Sequence, residues 1–261
     1  MRDRNARKQN SSDSPASRGV TAPSQPSRRG ILLVILYVTV VLGVDSLAAL
    51  HYYWPWEWAV FRWSFQDLFA LMGLLELGQS IAQTPLGDFD VFKFLFWFLL
   101  PMAFCLRSMD WGWVGFQRWK RLDLFLLAGF LVLAMAAILV IPLFPSLRNT
   151  YPSLRELSAS QKLTIFYGKT LWTLSWFVGW EFLHRYFLLR QVHARWPRFG
   201  WLLVPLSETI YHLQKPLPET VGMALFSVVA TRWTLWRRNM LLPFLVHLGV
   251  ELALWLFILF V

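Results

Sequence analysis

The sequence predicts an all-α protein: a polytopic membrane bundle of about seven transmembrane helices, with one further helix lying in the interface. Three observations carry this. Of the 261 residues, 56% are hydrophobic and the mean hydropathy is +0.45, whereas soluble domains run at about 45–50% apolar even with glycine counted. Only 15% are charged, against about 25% in a soluble domain. The excess of Phe, Leu and Trp falls in blocks of roughly 20 residues, the length of a bilayer span. The formal charge of +10 gathers near predicted helix ends; this is positive-inside patterning and points away from nucleic-acid partners. Cys105 is the single cysteine, which excludes an intrachain disulfide and fits a small packing residue.

Residues 1–29 are rich in Arg, Ser and Pro and nearly free of apolar side chains. Such a segment buries too little surface to fold alone, and its arginines hold the N-terminus in the cytoplasm. It predicts a disordered basic tail. Residues 30–160 read as N-terminal membrane helices and residues 161–261 as the core that carries the chemistry. The first span is about Ile31 to Leu50, with Asp45 inside it. His51 to Gly78 holds Trp54, Trp56, Trp58 and Trp63 beside Tyr52 and Tyr53, an aromatic belt, and Arg62 and Asp67 argue against a plain span. This is the expected interfacial helix.

The second span is about Val91 to Leu106 and the third about Asp123 to Leu143, closed by Pro142 and Pro145. Ser146 to Gln161 is polar and is expected outside. The fourth helix, about Thr164 to Arg190, is long. A short fifth span, about Trp201 to Leu213, ends at Lys215-Pro216-Leu217-Pro218, where two prolines disfavour a continuing helix. The sixth runs from Glu219 to about Trp233 and the last from about Met240 to Val261. Basic loops after spans two, four and six fall on the side of the tail, which places the C-terminus opposite.

The polar residues of the last hundred positions form three pairs at i,i+4 spacing: Glu181 with Arg185, Glu208 with His212, and His247 with Glu251. That spacing sets each pair on one helix face. Ionisable groups inside a membrane cost roughly 2.5–3.5 kcal/mol each and mark functional sites. A carboxylate and an imidazole in a dry pocket can hold a water and remove its proton, while a second histidine can donate to a developing oxyanion. Glu181, His212 and His247 supply those roles if their helices meet. Arg185 orients Glu181 or takes a substrate carboxylate at two points. His184, near the cytoplasmic end, reads as a packing residue. Each pair taken singly also fits a structural ion pair or a helix–helix hydrogen bond. Zinc ranks second, since His, His and Glu ligate it but His-Glu-x-x-His is absent. A serine mechanism through Ser207 ranks lower, since no Gly-x-Ser-x-Gly surrounds it.

Glu181-Phe182-Leu183-His184-Arg185 resembles the first motif of the CPBP intramembrane proteases, the group of CAAX prenyl endopeptidases and bacterial Abi relatives. His212-Leu213-Gln214-Lys215-Pro216-Leu217-Pro218-Glu219-Thr220 resembles the second motif of a bacterial subset, and Pro243-Phe244-Leu245-Val246-His247 the third. The likeness covers about residues 164–255, in the family's order. Trp180 stands where the family has the first glutamate of a pair, Tyr186 where it has glycine, Glu208 where it has phenylalanine, and Glu251 where it has Asn or Asp.

The resemblance implies peptide hydrolysis by water activated between a glutamate and His212, with His247 holding the oxyanion. Arg185, Glu208, Glu251 and Glu219 would support catalysis or bind substrate, with Glu181 or Glu208 compensating for Trp180. It implies no cofactor, a membrane-anchored protein or peptide as substrate, and residence in the bacterial inner membrane. Two other readings fit the same residues: a non-catalytic immunity or scaffold protein that binds a peptide or lipid in the cavity, and a small transporter or proton relay.

Overall fold

The structure is a computed structural model that describes residues 27–49, 64–116 and 119–261. Among these every regular element is helical. In chain order they are α1 (Arg28–Ala49), α2 (Phe65–Leu71), α3 (Leu75–Ala82), α4 (91–105), α5 (Arg121–Ile138), α6 (Pro145–Thr150), α7 (159–195), α8 (Leu203–His212), α9 (Leu217–Arg237) and α10 (Leu241–Phe260). Short 3₁₀ and single α turns join several of them. Among the described residues, four segments are long and apolar enough to cross a membrane: Arg28–Ser46, Val91–Ser108, Arg121–Leu143 and Leu241–Phe260.

These four segments match the first, second, third and last expected spans. Their outward faces are apolar, with Leu33, Phe125, Val132 and Leu133 each more than 60% exposed, as in a bundle surrounded by lipid. The fifth expected span is the ten-residue α8, about 15 Å long against a hydrocarbon core of about 30 Å. The polar segment after Leu143 opens with α6. Helix α1 begins at Arg28, so Arg28 and Arg29 form its first turn and do not belong to the tail. Residues 1–26 of that tail lie outside the described residues, as do Trp54, Trp56, Trp58 and Trp63 of the expected interfacial helix. The described end of that segment is two short helices, α2 and α3, broken at Gly73, whose φ of +76° favours glycine.

Helix α7 is the axis of the molecule. Ser158 caps it: its hydroxyl accepts from the Gln161 N–H at 3.4 Å, and the Gln161 side chain accepts from the Ser158 N–H at 3.0 Å. The helix continues for about 55 Å, but its middle, Phe182–Leu188, widens into a π-helix. A second π segment, Phe94–Leu99, lies in α4 and packs on it. Such widened turns recur at functional sites.

The two segments meet through Trp97 on Trp180 and Phe98 on Phe182, with ring centroids 5.6 and 5.5 Å apart. Gly179 permits this approach, because a β-carbon there would lie 2.8 Å from the Trp97 β-carbon. Gly179→Ala is therefore expected to cost about 1–3 kcal/mol through overpacking. Unfolding of the detergent-solubilised protein checks this, with Gly129→Ala, where the added carbon meets nothing within 4 Å, as the control.

Polar contacts fix the remaining helices around α7. Arg237, at the end of α9, donates to both Asp123 oxygens at 2.6 and 2.9 Å and so holds the start of α5. Asp45 of α1 lies 3.4 Å from Lys93 of α4 and accepts from the Tyr211 hydroxyl of α8 at 2.5 Å. Arg238 takes a left-handed turn at φ 48°. The Asn239 side chain then accepts from the N–H groups of Leu241 and Leu242, which starts α10.

Candidate functional site

The three polar pairs come together at the contact of α7, α8 and α10, but mostly not with the partners that i,i+4 spacing offers. Only Glu181 and Arg185 meet through their side chains within one helix, at 2.8 Å. Arg185 reaches on to α8, where its two terminal nitrogens donate to the Glu208 oxygens at 2.8 and 3.2 Å. The Ser227 hydroxyl of α9 also donates to Glu208. All of these side chains are fully buried. His247 turns away from Glu251 and sits with Nδ1 2.9 Å from Glu181 Oε1. His212 turns away from the Glu208 carboxylate and donates from Nδ1 to the Glu208 carbonyl oxygen at 2.8 Å.

These contacts fix the imidazole tautomers. A carbonyl oxygen and a carboxylate only accept, so in the neutral rings Nδ1 carries the hydrogen and Nε2 the lone pair. Both His212 and His247 line one cavity of about 630 Å³. Two nitrogen bases thus border the same space. Behind His247, two carboxylates share one guanidinium, so Glu181 offers the counter-charge when Nε2 takes a proton. Glu181 itself does not line the cavity. Its place is behind the imidazole, where it holds the ring by the Nδ1 contact.

Arg185 and Glu208 lie equally deep, and neither reaches the cavity. Trp180 forms part of the wall. Its ring packs on His184, Tyr211 and His212, with centroids 4.3, 5.0 and 5.5 Å away. His184 is fully buried and donates from Nδ1 to the Trp180 carbonyl at 2.9 Å.

The segment after His212 explains itself mechanically. The Thr220 hydroxyl donates to the His212 carbonyl at 2.6 Å and ties the Lys-Pro turn back to the helix end. Glu219 accepts from the Tyr151 hydroxyl at 2.7 Å and lies 3.8 Å from Lys215. Burial pushes the Tyr151 phenol up from its ordinary value, and the Glu219 carboxylate adds to the shift; Tyr151 therefore stays a donor.

With both neutral histidines presenting a lone pair, hydrogen-bond donors toward the cavity come from other groups on its wall. The Gln214 amide and the Lys215 ammonium lie there. Neither was singled out from the sequence, and their place directly after a cavity histidine is the signal that marks them. Asp45, Lys93 and Tyr211 also line the cavity; Asp45, a charge within an apolar span, is the trace that the sequence leaves of them. Ser227 has no such signal. Among the described residues, no three His, Cys, Asp or Glu side chains are grouped so as to hold a metal ion.

Comparison with protein-family models, with curated proteins and with solved structures finds no match for the chain.

Proposed function

We propose that the protein is an intramembrane endopeptidase of the CPBP type, which hydrolyses a peptide bond of a membrane-anchored protein or peptide with a water activated at the cavity. The observation that carries the reading is the meeting of the three motif-bearing segments: Glu181 bonds His247 across 66 positions, and His247 and His212 line the same cavity. In this mechanism His247 Nε2 takes the proton of the attacking water while Glu181 stabilises the imidazolium. His212 Nε2 holds the water, Gln214 and Lys215 face the oxyanion, and the proton on His247 passes to the leaving amine. No covalent intermediate forms. The reading includes seven crossings, with α7 and α9 added to the four apolar segments and the short α8 crossing where its flanking turns and a locally thinned bilayer make up its length, a cytoplasmic N-terminus and residence in a bacterial inner membrane.

The test compares terminal peptides of membrane proteins from cells that carry the wild type or His247→Ala at matched expression. New N- and C-termini found only with the wild type are the expected result and name the substrate. Identical sets of termini would leave a non-catalytic peptide- or lipid-binding protein as the better reading; Trp180 in place of a glutamate favours that alternative.

A further inference from the structure

The charges on the cavity wall do not balance. Lys93 faces Asp45 at 3.4 Å and Asp90 at 3.4 Å. Lys215 faces Glu219 at 3.8 Å. Glu251 projects from α10 into the same cavity, and among the described residues no hydrogen bond or ion pair reaches its carboxylate. The histidine one turn earlier, which the spacing offers as its partner, is committed to Glu181. The Glu251 carboxylate is partly open to the cavity, with Lys215 and His247 acting on it only through their charge at longer range, so a cation arriving from the cavity gains a charge-assisted contact.

The wall around Glu251 is aromatic, with Trp172, Trp176, Trp180, Trp255 and Tyr151. Indole faces attract cations, and these already do so. Lys93 lies 5.7 Å from the Trp176 ring, and Lys169 lies 5.6 and 5.7 Å from the Trp172 and Trp255 rings.

We infer that the cavity selects a peptide carrying a basic side chain, whose ammonium or guanidinium pairs with Glu251 between the tryptophans. This deepens the peptidase reading and rests on it for the class of ligand. The basic residue then sits within one helical turn of His247, which places the scissile bond close to a Lys or Arg.

Binding is read apart from cleavage, on purified His212→Ala protein in dodecyl maltoside. The probes are two fluorescent Leu/Ala peptides of about 20 residues that differ only in a central Lys or norleucine. The Lys peptide is expected to bind about tenfold or more tightly, as a charge-assisted contact gives. Glu251→Gln is expected to erase the preference while norleucine binding stays, and Glu251→Asp to keep it.

Equal binding of both peptides, binding of neither, or a preference that survives Glu251→Gln would overturn the inference. A lipid headgroup as the true occupant would show as displacement of both peptides alike by dodecylphosphocholine, with Glu251→Gln relieving it, and this too would overturn it. Wild-type protein that binds the Lys peptide and never cuts it would sink the peptidase reading alone; cutting with no Lys preference would sink the cation site alone.

Discussion

His247→Ala is expected to lower the rate of substrate cleavage by about 10²–10⁴-fold, the range that removal of a positioned general base produces. Substrate binding should change little, because His247 contributes a nitrogen to the reacting water and only a small part of the wall. Glu181→Gln should cause a loss of the same order by a different route. The amide keeps the shape, but it no longer fixes which ring nitrogen bears the hydrogen, and it offers no counter-charge to the imidazolium. Both variants should remain in the membrane and unfold near the wild-type temperature, since Glu208 still pairs with Arg185. The kinetic signature is a fall in kcat at nearly constant KM. A rise in KM with kcat unchanged would assign the dyad to substrate binding instead.

Arg185→Leu is expected to be the most damaging single change to stability. Arg185 is fully buried and stands between Glu181 and Glu208 at 2.8 Å from each. Removing it leaves two carboxylates facing one another in a dry site. Breaking a buried pair in this way costs about 3–5 kcal/mol, more than the pair contributes when intact. Glu208→Gln should cost less, because Arg185 keeps Glu181 and the amide can still accept from Ser227. Denaturant unfolding in detergent, followed by tryptophan emission, measures both. An Arg185→Leu protein as stable as the wild type would show that the cluster is hydrated, as at a surface, where such pairs contribute roughly 0–1 kcal/mol.

These two expectations depend on pairings that the sequence could not supply. Spacing placed Glu208 with His212 and His247 with Glu251 on common faces, and the structure keeps both residues of each pair at the site. It changes the partners, however: His247 and Glu208 bond across helices to Glu181 and Arg185, while His212 bonds the Glu208 backbone carbonyl of its own helix. The apolar spans were legible because a run of about 20 hydrophobic residues has few other fates. Helix α8 was harder to read, since a short helix with two charged or titratable groups resembles a span only in its first half. The π segments at Phe94–Leu99 and Phe182–Leu188 left no mark in composition. They lie beside the place where Gly179 lets α4 press against α7, a contact between two distant stretches.

The central claim is that His212 and His247 act on one water in one cavity. Its most direct test is the cleavage rate, in the same detergent, of His212→Ala, His247→Ala and the double variant. Residues that work as a unit lose their contribution together, so the double variant should cleave within about threefold of the slower single one. A double variant slower by the product of the two separate losses would mean that the histidines act independently, and would contradict a shared site.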